Sequence, residues 1–343
     1  MNDRIILAHG SGGRATHQLV EELFYRHLGN ELLLQRNDAA VFPAPRTGPG
    51  APAAPRLAMT TDSFVVRPLF FRGGDIGRLA VCGTVNDLAT SGATPLYLSL
   101  ALIIEEGLRI AELERVVASI AAACQEAGVK IITGDTKVVA RGQADGLYIN
   151  TTGIGLVPEG VDLGGEKVRP GDAVIVSGPI GEHGIAVLSE REGIAWETPI
   201  RSDCAPLNGL VAQVLATGAE VHCFRDPTRG GLASTLNEVA AQAQVGVVIY
   251  EEAIPLSPQV RGACDMLGFD PLYVANEGKM VAFVPRQRAG EVVQAMQKDK
   301  YGKGAKIIGE TTAQHPGLVV VRTAVGGERI LDMPEGELLP RIC

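Results

Sequence analysis

Two periodicities divide the chain: a helical one and a strand-like alternation. Between residues 15 and 28 the apolar side chains fall at Leu19, Leu23, Phe24 and Leu28, the spacing of one helix face, and Gly29 offers a stop. The same reasoning predicts helices over 76–91, closed by Gly92, and over 110–127, closed by Gly128. Strands are predicted over 57–61, 96–104, 130–133 and 147–157, the second of them fully buried. Further on, strands at 173–177, 245–250, 280–284, 306–309 and 318–321 mix with helices at 184–192, 207–216, 232–243 and 288–298. No short repeat recurs. Helix and strand mix irregularly, which predicts α+β layers more than strict βαβ winding. The pattern breaks into turn chemistry between Gly164 and Asp172. That places an N-terminal domain at 1–163, a C-terminal α+β domain at 164–331 and a mobile tail at 332–343. Residues 43–56 hold five prolines and two glycines and read as a flexible surface loop.

Composition narrows the function classes. The 343 residues are 46% apolar and 20% charged, enough for two ordinary cores. The net charge is −8 with no long basic stripe, which argues against nucleic acid as a partner. An acidic groove would also repel phosphates unless a metal bridged them. Six cysteines, Cys82, Cys124, Cys204, Cys223, Cys264 and Cys343, show no Cys-x-x-Cys pairing. Reduced thiols in a cytosolic protein fit better than a disulfide framework or a zinc site. The first residues lack the apolar core of a signal peptide. The most apolar run, 96–104, is too short to span a bilayer, so no membrane association is expected.

Candidate chemistry gathers on five aspartates beside small residues: Asp38, Asp62, Asp87, Asp135 and Asp226. Asp62 and Asp135 each end a predicted strand, where active groups often collect. Converging carboxylates repel, so together they suggest a hard cation such as magnesium, which usually holds a nucleotide's phosphates. Any one alone reads more readily as a turn former or helix cap. Asn86 and Asp87 interrupt an apolar helical face, as the wall of a polar site would. No Gly-x-x-x-x-Gly-Lys-Ser/Thr motif exists, which excludes a P-loop. The stretch His9-Gly10-Ser11-Gly12-Gly13-Arg14 precedes a helix and offers backbone N–H groups to an anion, as does Arg229-Gly230-Gly231. Lys137 and Glu277 are candidates for charge stabilisation and general-base work, with ordinary surface charge the plainer alternative. The histidines lack metal-ligand spacing and read mostly as structural, and the Ser177–Gly184 turn reads as architectural. The sequence closes on Pro340-Arg341-Ile342-Cys343, placing a thiol where a chain is most mobile and where it can carry a small group.

Thr61-Asp62-Ser63, Asn86-Asp87, Gly134-Asp135-Thr136, Gly178-Pro179-Ile180-Gly181 and Asp226-Pro227-Thr228-Arg229-Gly230-Gly231, in this order, resemble the aminoimidazole ribonucleotide synthetase superfamily. The Gly-Ser-Gly-Gly start, Ala275-Asn276-Glu277-Gly278-Lys279 and the final tetrapeptide resemble, within it, the family of [NiFe]-hydrogenase maturation dehydratases. The resemblance covers nearly the whole chain; the proline-rich segment departs from it as a loop insertion.

It implies a two-domain α+β fold whose N-terminal sheet pairs with a second subunit. It also implies ATP-dependent dehydration of an S-carboxamide on Cys343 to a thiocyanate. The carbamoyltransferase HypF would load the thiol, and a HypC–HypD complex would receive the cyano group for the hydrogenase iron. Magnesium would sit on Asp38, Asp62, Asp87 and Asp226. ATP would be held by Asn86, Gly134, Asp135, Thr136, Arg229 and Gly230. Glu277 would act as base and Lys137 as charge stabiliser or proton relay. A synthetase of the same superfamily acting on a free small molecule, or a non-catalytic scaffold, are the alternatives.

Overall fold

The computed structural model describes residues 4–44, 55–336, 339 and 341–343, so most of the expected proline-rich loop lies outside the described residues. Strands β1 (Ala40–Pro43), β2 (Arg56–Phe64), the short hairpin β3 (Phe70–Phe71) and β4 (Gly74–Asp75), β5 (Thr94–Glu105), β6 (Lys130–Val139) and β7 (Leu147–Val157) belong to the first half. Helices α1 (Arg14–Leu19), α2 (Arg26–Leu28), α3 (Ile76–Thr90) and α4 (Ile110–Ala127) accompany them. The second half holds β8 (Asp172–Val176), β9 (Cys223–Arg225), β10 (Gly246–Tyr250), β11 (Val281–Pro285), β12 (Lys306–Thr312), β13 (Val319–Arg322) and β14 (Glu328–Ile330). Its helices are α5 (Glu182–Glu192), α6 (Asn208–Leu215), α7 (Gly231–Ala243), α8 (Pro258–Leu267) and α9 (Ala289–Lys298). The fold is the expected two-domain α+β type. One sheet runs β1-β2-β7-β5-β6, the other β14-β13-β10-β12-β8-β11-β9.

The two sheets are covered differently, and their sequences say so. All five residues of β8 are buried: Val174 and Val176 pack beneath α7, while Ala173 and Ile175 pack beneath α6 and α9. A strand covered on both faces needs a continuous apolar run. In β7, burial alternates strictly from Leu147 to Val157, because only one face meets the helices, α3 foremost. The expectation of a buried strand over 96–104 is therefore corrected. Strand β5 turns Tyr97 and Ile103 to an outer face that no described residue covers, joined there by Ile132 of β6 and Ile154 of β7.

Helix α3 positions the site. Asp75 caps it, its carboxylate accepting from the N–H groups of Gly77 at 2.7 Å and Arg78 at 3.1 Å, a device worth about 1 kcal/mol. Nearly every side chain of α3 is buried, so the helix lies between its own sheet and the second half. Gly83 allows the close approach to β2: a Cβ there would stand 3.0 Å from the Phe64 ring. That contact brings Asp87 over the strand that carries Asp62.

Candidate functional site: an acidic cleft between the two sheets

Four of the five aspartates meet in space. Asp38 lies in the bend before β1, Asp62 within β2, Asp87 on α3 and Asp226 in the loop after β9. Two positions expected to end strands lie inside them, because β2 runs on to Phe64 and β6 to Val139. Thr60 ties two of the acids together, its hydroxyl lying within hydrogen-bond distance of the Asp87 carboxylate and the Asp38 carbonyl, both at 2.9 Å. Burial first, then the crowd of like charges, pushes Asp87 well above the ordinary carboxylate range; Asp226, Asp62 and Asp38 are the neighbours that do so. Asp226 is pushed up to about 8 by burial and then by Asp38 and Asp62. Burial likewise raises Asp38 and Asp62, against the pull of Arg225 and Arg229 respectively.

Glu277 completes the cluster. It is 3% exposed, and its Oε1 has no hydrogen-bond partner among the described residues. Burial, then Asp226, Asp203 and Asp62, lifts its carboxyl well above the ordinary range, opposed by Arg229. Its backbone is fixed from below. Asp203 accepts from the Glu277 N–H at 3.1 Å and the Gly278 N–H at 3.2 Å, and Lys279 bridges Asp203 at 3.0 Å and Glu182 at 3.3 Å. Asn86, expected among the nucleotide ligands, is engaged here by backbone. Its Oδ1 accepts from the Leu207 N–H at 2.8 Å and its Nδ2 donates to the Ala205 carbonyl at 3.1 Å. In this arrangement it pins the segment beside Glu277.

The last residues of the sequence adjoin this cleft at Arg229. The Val65 N–H donates to the Cys343 main-chain oxygen at 3.1 Å, and Cys343, Val65, Arg229 and Ala275 line one cavity of about 180 Å³. The charge at Cys343 is the largest influence raising Arg229, with Asp62, Glu277 and Asp87 adding to it against burial. Gly230 and Gly231 both take positive φ, which lets the chain turn from Arg229 straight into α7. In the glycine-rich start, at least two of the N–H groups expected to face an anion are engaged within the chain. Gly12 donates to Thr16 at 3.0 Å and the Arg14 N–H to the Pro334 carbonyl at 3.0 Å, so this loop braces Arg229 and the root of the tail. Arg229 itself donates to the Gly10 carbonyl at 2.7 Å.

Gly134, Asp135, Thr136 and Lys137 do not reach this cleft within one chain. Gly134 shares a row of the sheet with Asp62 through Thr151 and Leu100, but that row crosses three inter-strand spacings, about 14 Å. Asp135 and Lys137 also belong to the outer face, paired with each other at 2.6 Å, whereas Asp62 belongs to the helix-covered face. Sequence reasoning missed Arg225, which is buried and bonds Asp38, the Arg36 carbonyl at 2.8 Å and Gln242 at 3.2 Å. Its place beside Asp226 was the available signal. It also missed His183, described below.

Residues 36–157 match the family model of the AIR synthase related protein N-terminal domain, and residues 169–321 that of the C-terminal domain. Carbamoyl dehydratase HypE of Azotobacter vinelandii is 53% identical over 342 residues, covering 100% of this chain and 98% of that protein. The chain belongs to the HypE family. A HypE solved in complex with ATP is 48% identical with a TM-score of 0.81, covering 99% of this chain and 100% of that one. The chain matched in a HypE–HypF complex is 47% identical with a TM-score of 0.85, covering 92% and 99% respectively. Among the described residues no helix is long and apolar enough to cross a membrane.

The acidic cleft of this HypE-family chain carries a stability cost with a definite sign. A carboxyl raised from 3.8 to about 8 favours the fold most below its unfolded value and loses that contribution as pH rises through the folded one. Asp226→Asn removes the need to ionise there. Without nucleotide, the variant is expected to melt higher than the parent, with the gap widening between about pH 4 and about pH 8 to roughly 1–3 kcal/mol once solvent screening in the open cleft is allowed for. Melting curves at pH 5 and pH 8.5 check it; a gap that shrinks with pH contradicts the charge-crowding account.

Proposed function

We propose that this chain dehydrates an S-carboxamide carried on Cys343 to a thiocyanate at the expense of ATP, as a step in making the cyano ligand of [NiFe]-hydrogenase iron. The observation that carries the reading is the position of Cys343, docked beside Arg229, whose guanidinium also feels the charges of Asp62, Glu277 and Asp87. An amide oxygen is a poor leaving group. Attack of that oxygen on the γ-phosphorus forms an O–P bond and releases ADP. Breaking the C–O bond then expels phosphate, while both N–H protons leave and a C≡N bond forms. Carboxamide plus ATP thus gives thiocyanate, ADP, hydrogen phosphate and one proton. Glu277, buried with one unpartnered oxygen, is the group we assign to take an amide proton.

Magnesium fits the donor set. The cleft offers hard oxygen ligands, and Asp38 Oδ2 is buried without a hydrogen-bond partner among the described residues. No group of three or more acidic, histidine or cysteine side chains among the described residues is close enough to hold an ion alone. Asp38, Asp62, Asp87 and Asp226 would therefore share it with nucleotide phosphates. Bound there, the metal supplies charge neutralisation at the transferring phosphoryl group. Arg229 and Gly230 are assigned to the nucleotide. Asn86 joins that set only if its amide turns from the backbone it now holds.

We assign Gly134, Asp135, Thr136 and Lys137 to the nucleotide and proton relay of a second copy. The uncovered apolar outer face beside them, with Tyr97 46% and Ile132 61% exposed, supports a homodimer through this sheet. Sedimentation of the full chain as a monomer at micromolar concentration contradicts this. HypF is the expected donor of the carbamoyl group and a HypC–HypD complex the acceptor of the cyano group. Six cysteines, five of them buried, suit a cytoplasmic setting. We keep domain limits of 1–163 and 164–331, with 332–343 as the tail that travels.

Mass spectrometry of the peptide containing Cys343 tests the reaction. After carbamoylation, addition of ATP is expected to remove one water from that peptide. ATP hydrolysis with no loss of water from it would favour a free small-molecule substrate. No ATP turnover at all would favour a scaffold.

A further inference from the structure

The groove that receives the tail is built from more than the nucleotide cleft. Arg341, Ile342 and Cys343 run antiparallel to residues 65–67: Val65 donates to the Cys343 main-chain oxygen at 3.1 Å and Arg67 to the Arg341 carbonyl at 3.3 Å. In such a pairing the carbonyl between them points the other way and needs its own donor. His183, at the start of α5, supplies it, with Nε2 2.8 Å from the Ile342 oxygen. A carbonyl only accepts, so Nε2 carries the proton; Nδ1 then accepts from the Ser202 hydroxyl at 2.8 Å. The ring is fully buried and stands edge-on to Phe71 with centroids 5.4 Å apart. Two turns further along α5, Arg191 donates to the Arg341 carbonyl at 2.6 Å and to the Arg67 carbonyl at 2.9 Å. The Ile342 side chain, 4% exposed, packs into the same core as Val66, Phe71 and Val187.

We propose that α5 is the receptor of the tail, with His183 and Arg191 as positioning residues that hold Cys343 in the cleft for dehydration. This rests on the reading that the tail carries the reacting group. The segment that follows β2 grips the tail from one side and α5 from the other, so the thiol is held against rotation as well as withdrawal. The donor of His183 is satisfied by the docked tail. When the tail leaves, that buried N–H loses its acceptor, which biases the equilibrium toward the docked state. The histidine therefore sets how the tail divides its time between the cleft and an outside carbamoyl donor. Loss of the bond is expected to separate the two steps: dehydration slows, and loading does not.

The Arg341–Ile342 peptide bond gives a readout independent of chemistry. Trypsin cuts after Arg341 only when the tail is out, so the rate of release of the following residues follows the undocked population. In the full chain, without ATP or carbamoyl group, His183→Leu and Arg191→Gln are each expected to raise that rate about tenfold, the weight of one hydrogen bond. His183→Gln keeps an N–H able to reach the same carbonyl and is expected to return the rate toward that of the parent. Cleavage of the Leu variant at the parental rate overturns the proposal. So does cleavage of the Gln variant as fast as the Leu one, which would mark a merely structural role. Should His183→Leu fail to fold, Arg191→Gln, at a half-exposed position, decides alone. A change in cleavage with no thiocyanate formed by any variant, parent included, would instead indict the dehydratase reading.

Discussion

Cys343→Ala is expected to abolish thiocyanate formation while the fold and ATP binding survive. The substitution removes only a thiol. Contacts that dock the tail use the Cys343 main-chain oxygen, the Ile342 carbonyl and side chain, and Arg341, and the alanine variant keeps these. The cleft itself is built by Asp38, Asp62, Asp87, Asp226 and Glu277, none of which needs the sulfur for its place. Tethering replaces diffusional capture with an effective concentration, and for well-aligned groups that advantage reaches 10⁵ M or more on the order of magnitude. Free carbamoyl compounds at millimolar concentration should therefore not rescue the variant. ATP binding by calorimetry and the mass of the tail peptide check both halves. Cyanide delivered to an acceptor by the alanine variant would sink the carrier mechanism.

Glu277→Gln is expected to slow dehydration by roughly 10²- to 10⁴-fold, the usual contribution of a positioned general base. Glutamine preserves the shape and the backbone bonds from Asp203, so carbamoylation of Cys343 and ATP binding should change little. The pH profile carries the sharper sign. Burial and the neighbouring acids hold the Glu277 carboxyl above its ordinary range, so it becomes a base only as pH rises through that elevated value. The parent's rate should climb along that limb and the glutamine variant should lack it. Single-turnover dehydration between pH 5 and pH 9 decides this. A glutamine variant that keeps both rate and limb would move the base to another group, with Lys137 of a second copy the next candidate.

How much of this was readable beforehand differs from element to element. Helix α4 was bounded correctly at both ends because its apolar stripe is wide and Gly128 takes the left-handed conformation that ends it. Strand β7 was bounded correctly because one-sided burial enforces a period of two. Strands β9 and β14, of three residues each, are too short to show any period. Helix α8 carried readable signals, a Ser257 cap, Pro258 at its first position and Gly268 at its end, and was overlooked.

By itself the sequence determined the inventory: which acids, which glycine turns, which thiol, and the family motifs that order them. Local chemistry and spacing suffice for that, since they act within a few residues. Only the tertiary structure decided the grouping. Asp62 and Asp135 look alike along the chain, yet pleat parity puts them on opposite faces and three strands apart. His183 looked architectural until the fold brought a carbonyl 159 residues away to its Nε2. Charge crowding and buried hydrogen bonding depend on distances in space, and those exist only after the two sheets have closed around α3.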